Sequence, residues 1–199
     1  MSERTPVAVL GTLAEFHREP IPYDLKALVL LVTRIQPDLL CLDMTPEQWR
    51  CQAFGDLPPE YREALLPLAY QTDIVVVPIA ESQPPAEPSA TGWRGKAILV
   101  LRSWLGEIQK AAPGPDAINR GPRHGLANLI YNLIASLAGE DSERRSAAHA
   151  DHLSREVLEL ARREAGRRIL VVVNVRYCHL VRHELRRHQE IDVRRYNDL

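Results

Sequence analysis

Short apolar runs alternating with amphipathic stretches predict an α/β fold of three layers with a mainly parallel sheet of about five strands. Three observations carry this expectation. The runs Val7-Ala8-Val9-Leu10, Leu39-Leu40-Cys41-Leu42 and Ile169 to Val173 are apolar at every position, as strands covered on both faces must be. Between the first two lie Leu25, Leu28, Val29, Val32 and Ile35 at helical spacing. Two of the runs end at Gly11-Thr12 and at Asp43, and the last leads into Cys178-His179. In parallel α/β sheets the carboxyl ends of strands are where ligands bind.

Taken in order, a first strand is expected at 6–10, followed by a helix over 21–36 that Pro37-Asp38 terminates. A second strand covers 39–43, and short helices at 46–52 and 58–69 each have proline near the first turn. The third strand, Asp73 to Val77, stops at Pro78. Residues 80–95 are rich in Pro, Ser and Gly and read as a loop, either a linker or a lid. Helices at 96–111 and 123–138 make a helical insertion of about 96–140 before the fourth strand. Ser142 caps a long helix that Gly166 ends. The fourth strand at 168–175, a helix over 178–188 and a strand from Ile191 to Tyr196 complete a single domain, 1–199, without internal repeats.

Composition narrows the partners. A chain of 199 residues, 45% hydrophobic, buries its own core without cross-links. A net charge of −1 with no basic block argues against nucleic acid, and Arg162, Arg163, Arg167 and Arg168 cluster where cations favour a helix end. Three scattered cysteines without a CxxC pair exclude a disulfide framework. The N-terminus runs into the first strand with no signal peptide, and Lys26 and Arg34 bracket Leu28 to Val32 too closely for a membrane span. The expectation is a soluble cytoplasmic protein with a small-molecule or peptide ligand, no membrane partner, and homo-oligomerisation left open.

The rim of strand ends supplies the candidate chemistry. Gly11, Thr12, Asp43, Glu81 and Arg176 to His179 lie at or beyond the ends of four strands, and His17 follows the first. A carboxylate and two imidazoles (Asp43, His17, His179) can hold a divalent metal, Mn, Co or Zn, that polarises a carbonyl and acidifies bound water. The alternative is that Asp43 caps the next segment and both histidines lie on surface loops. His179 and His183 share a helical face, but without the intervening glutamate of an HExxH site. His149 and His152 flank Asp151 on the long helix, where Asp151 serves either to orient a site group or as a surface charge, and a solvated face is the simpler reading of all three. Cys178 at a helix start is a minor thiolate candidate. No GxSxG, GxGxxG or complete phosphate loop occurs.

Four segments carry a resemblance to a known group. They are Val9-Leu10-Gly11-Thr12, Gln36-Pro37-Asp38-Leu39-Leu40-Cys41-Leu42-Asp43, Ala150-Asp151-His152-Leu153-Ser154, and Val171-Val172-Val173-Asn174 through Arg176-Tyr177-Cys178-His179-Leu180. Their order resembles the TraB/PrgY–ChaN–Tiki superfamily with its erythromycin-esterase relatives. The motif histidine of that group falls here at Leu13 or Ala14, its motif glutamate at Asp43, its helix arginine at Ala150 and its C-terminal glycine at Arg176. The resemblance implies a metal-dependent hydrolase of peptide or small-molecule ester or amide bonds. Asp43 and His179 would be the retained site groups, with His17 replacing the absent histidine and Thr12 and Glu81 lining the pocket. It also implies, as an alternative, a non-catalytic domain that binds haem through a histidine. A third reading, from the residues themselves, is an interaction subunit using the apolar faces around Trp104 and Tyr131.

Overall fold

The computed structural model describes residues 4–199. The segment before Arg4, part of the N-terminus read as lacking a signal peptide, lies outside the described residues. Strands β1 (Thr5–Thr12), β2 (Leu39–Leu42), β3 (Val75–Pro78), β4 (Ile169–Asn174) and β5 (Ile191–Arg194) form one sheet in the order β3-β2-β4-β1-β5. Every pairing is parallel. The expected fold class is therefore correct, with the sheet as the middle of three layers.

Each face of the sheet has its own core, because successive residues of a strand point to opposite sides. Ala8, Leu10, Leu40, Leu42, Leu170 and Val172 meet Leu28, Leu31, Val32 and Ile35 of α1 (Leu25–Ile35) on one side. Val7, Val9, Leu39, Cys41, Val171 and Val173 meet α7 (Glu140–Arg163) and α8 (Val175–Leu185) on the other. Between them lie α2 (Pro46–Arg50), α3 (Leu66–Tyr70, preceded by a wide turn of helix at Glu60–Leu65), α4 (Gly92–Lys110), α5 (Pro115–Asn119) and α6 (Gly121–Ala138). The third core cluster, with Ile98, Leu105, Ala127, Ile130 and Ile134, joins α4 to α6 in the helical insertion.

Local chemistry explains the element ends. Asp24 caps α1 by accepting from the Ala27 amide at 2.7 Å, and Gln36 closes it in the left-handed conformation. Thr45 and Gln48 form a reciprocal cap on α2 with Pro46 in its first turn. Several boundaries differ from expectation: α1 starts at Leu25 instead of 21, and α4 at Gly92 instead of 96, so its first turn takes in the end of the expected loop. The long helix starts at Glu140 with Gly139 (φ 102°) before it, so Ser142 lies inside the first turn instead of capping it. α8 starts at Val175, where the Asn174 side chain accepts from the Arg176 amide at 3.1 Å. That is three residues before the expected 178, because asparagine supplies the cap that the apolar pattern does not reveal.

The loops leaving β1 and β2 turn towards the α1 face, and the loop leaving β4 turns towards the α8 face. Adjacent loops diverge at their carboxyl ends, which opens a crevice there. Among the described residues no helix is long and apolar enough to cross a membrane.

Gly11 was expected to contact ligand, but it is enclosed by protein. Its amide donates to the Asn119 Oδ1 at 2.6 Å, and a Cβ would lie 3.0 Å from that oxygen and 3.1 Å from the Val175 Cα. The Gly11→Ala variant is expected to lose about 1–3 kcal/mol in denaturant unfolding. Gly55→Ala, where a Cβ meets nothing within 4 Å, serves as the near-neutral control.

Candidate functional site

Asp43 is the first residue past β2 and is only 4% exposed. Its Oδ2 lies 3.0 Å from the Nε2 of His149 on α7, and its Oδ1 is buried without a hydrogen-bond partner. The His149 ring packs on Tyr177 with centroids 4.9 Å apart. Tyr61 sets the backbone of the same residue: its hydroxyl donates to the Val172 carbonyl at 2.8 Å and accepts from the Asp43 amide at 3.3 Å. An imidazole held against a carboxylate orients it and stabilises its charge, while the free oxygen keeps its lone pairs for another partner.

A second buried carboxyl group, Glu60, faces the same space. It is 1% exposed, and its Oε2 has no partner. Burial raises its pKa, offset in part by the amides of Glu60 and Ala14. Asp43, Glu60 and Tyr61, with Pro58, Pro84, Asn174, Arg176 and Tyr177, enclose a cavity of about 150 Å³.

Asn174, Arg176 and Tyr177 also form one wall of a larger cavity of about 390 Å³. Leu13, Phe16, Leu105, Tyr131 and Ile134 supply apolar lining there, and Arg102 and Gln109 supply polar groups. The Arg176 guanidinium lies over the Tyr177 ring, 4.4 Å from its centroid, touches the phenol oxygen and donates to the Pro85 carbonyl at 2.8 Å. Arg102 donates to the Pro88 carbonyl at 2.6 Å. These arginines tie the 80–91 loop down, so that it walls both cavities and does not act as a loose linker.

Of the residues singled out in the sequence, Asp43 and Arg176 reach these cavities, and Thr12 lies buried beside Glu60 with its hydroxyl donating to the Val173 carbonyl at 3.2 Å. The others stand elsewhere. His17 is committed to its own loop: Nε2 accepts from the Leu13 amide at 2.9 Å, and Nδ1–H donates to the Tyr23 carbonyl at 2.7 Å. Both ring nitrogens are used, so neither is available to a metal. Because α8 starts early, His179 lies about 6 Å down its axis from Val175. There it lines a separate cleft with His124, His183, Arg182 and Arg186. Glu81 is exposed and no nearer than 3.8 Å to His152, and Asp151 is exposed on α7.

His17, Asp43 and His179 therefore do not make one coordination set, and among the described residues no three His, Cys, Asp or Glu side chains are placed to share a metal ion. None of the histidines lines the larger cavity, so an axial haem ligand would have to come from the cleft at His179. Cys178 is fully buried, which raises its thiol pKa and opposes thiolate chemistry.

Of two further site groups, Glu60 escaped the sequence reading and His149, expected on a solvated face, is buried. His149 belongs to the apolar stripe of α7, four residues before Leu153 and eight before Val157, and that spacing was the available signal. Glu60 follows two prolines, where a glutamate ordinarily faces solvent, and only the packing of the wide helical turn buries it. A comparison of the chain with protein-family models, curated proteins and solved structures finds no match.

His17 makes stability depend on pH. Burial lowers its pKa from 6.5 to about 4, against smaller opposing effects of the Tyr23 carbonyl and Asp24. Between those values the unfolded chain holds the extra proton, so stability rises with pH across the interval. Acidification from about 6.5 to about 4 is expected to remove about 3 kcal/mol, read from urea midpoints. His17→Gln, less stable throughout, should lack that part of the slope.

Proposed function

We propose that the protein is a hydrolase of small ester or amide substrates working by paired acid–base catalysis at Asp43 and Glu60. The observation that carries this reading is that two buried carboxyl groups, each with one oxygen lacking a hydrogen-bond partner, line one small cavity at the carboxyl edge of a parallel sheet. Burying such groups is costly unless something enters to use the free oxygens.

The roles follow from the surroundings. Asp43, oriented by His149, removes a proton from water through Oδ1 as the water oxygen bonds to the acyl carbon. Glu60, whose raised pKa favours the protonated acid, gives its proton to the departing alcohol or amine. Arg176, at the wall common to both cavities, faces the carbonyl oxygen or an anionic substrate group. The larger cavity, with its apolar lining, holds the body of the substrate.

The reading retains the hydrolysis implied by resemblance to the erythromycin-esterase relatives, but moves the imidazole from His17 or His179 to His149. The metal set expected from His17, Asp43 and His179 does not fit the side-chain placement, and no step is routed through it.

A panel of small esters and amides tests the proposal. Turnover is expected with wild type, with kcat reduced about 10²–10⁴-fold in Asp43→Asn and in Glu60→Gln. The kcat/KM profile should be bell-shaped, and Glu60→Gln should lose its alkaline limb. His149→Gln should lower kcat with little change in KM, as expected of a positioning residue. Absence of turnover across the panel, or full activity in Glu60→Gln, refutes the assignment.

A further inference from the structure

The helical insertion displays an apolar face with nothing packed on it. Although Ile98, Leu105, Ala127, Ile130 and Ile134 fill the contact between α4 and α6, large apolar side chains also face outward. Leu99 is 65% exposed, Trp104 60%, Leu129 56%, and Val100, Leu126 and Leu133 about half. Between the two helices runs an open groove of about 430 Å³, lined by Leu101, Trp104, Ile108, Leu126, Leu129 and Leu133. Helices that are apolar all round normally have neighbours all round. These exposures correspond to an apolar face on the order of 600 Å², at the upper end for monomers and close to the roughly 800 Å² per partner of a standard interface.

The charges on the outer stripe of α4, which borders the groove at Glu107, select the occupant. Lys96, Val100, Ser103 and Glu107 are all exposed and follow one another at spacings of four, three and four residues, which is one stripe along α4. Neither Lys96 nor Glu107 has an ion-pair partner among the described residues. The stripe is symmetric about the point between Leu101 and Arg102, at the middle of the helix. Turned antiparallel on a copy of itself, it sets Lys96 opposite Glu107 and Val100 opposite Ser103, twice over by symmetry. An antiparallel two-fold contact requires such self-complementarity.

We propose that the chain forms a two-fold homodimer through antiparallel packing of α4 on α4 of a second copy, with Trp104 and the leucines of α6 closing the seam. The two insertions then make a four-helix layer of about 28 Å, the length of α4. The carboxyl edge of the sheet stays open, so the dimer stands independently of the proposed hydrolysis.

Sedimentation velocity of the full chain across a concentration series tests this, with circular dichroism confirming the fold of each variant. Wild type is expected to sediment as a dimer and Trp104→Glu as a folded monomer. Lys96→Glu places two like-charged pairs across the seam and should weaken dimerisation about tenfold or more. Adding Glu107→Lys to it restores opposite charges and should recover the dimer. Wild type that remains monomeric throughout overturns the proposal, and the face then belongs to another protein. A dimer indifferent to Trp104→Glu, or to Lys96→Glu alone, overturns the α4 pairing.

Discussion

Parallel pairing on β4 is the constraint from which the site follows. β1 aligns Thr12 with Asn174, and β2 aligns Leu42 with Val172, so Thr12, Asp43 and Asn174 end at nearly the same level. A slip of one residue in either register would exchange the two faces of a strand and drive its buried side chains into the wrong core. Because every residue from Ile169 to Val173 is fully buried, such a slip offers no alternative packing of similar quality. The same rigid edge that orders the core thus aims the carboxylate of Asp43 into the crevice.

Polar groups around that edge are unequal in their satisfaction, and the inequality is informative. His17 uses both nitrogens to close the turn after β1, and Asn119 uses its amide to bind Gly11 and the Pro115 carbonyl. These side chains are complete as they stand, as buried polar groups in folded proteins generally are. Asp43 and Glu60 are incomplete, each with one buried oxygen lacking a hydrogen-bond partner, and both line the same small cavity. The difference separates residues that support the loops from the pair on which the proposed hydrolysis rests.

The helical insertion has a different relation to the core. α4 and α6 bury one side against each other and lend Leu105, Tyr131 and Ile134 to the larger cavity, while their outer side remains apolar and unpaired. Part of the larger cavity is thus built on the same helices whose outer face carries the proposed dimer contact. Arg102 works on both levels, lining the cavity and holding the 80–91 loop through the Pro88 carbonyl.

Periodicity made the layers readable from the chain alone. Uniformly apolar runs such as Ile169 to Val173 require cover on both faces, and Leu28, Val32 and Ile35 lie three or four apart, so strands, helices and their alternation follow from local spacing. The position of Asp43 at a strand end was legible for the same reason. Tertiary packing alone decided which imidazole meets it. His149 is 106 residues away in sequence, and His17 and His179 were preferred because they follow strands closely, yet the turn after β1 absorbs the first and the early start of α8 carries the second away. Strand order and side-chain partners arise from long-range packing that no local spacing encodes, whereas burial pattern is written into each segment by the hydrophobic effect.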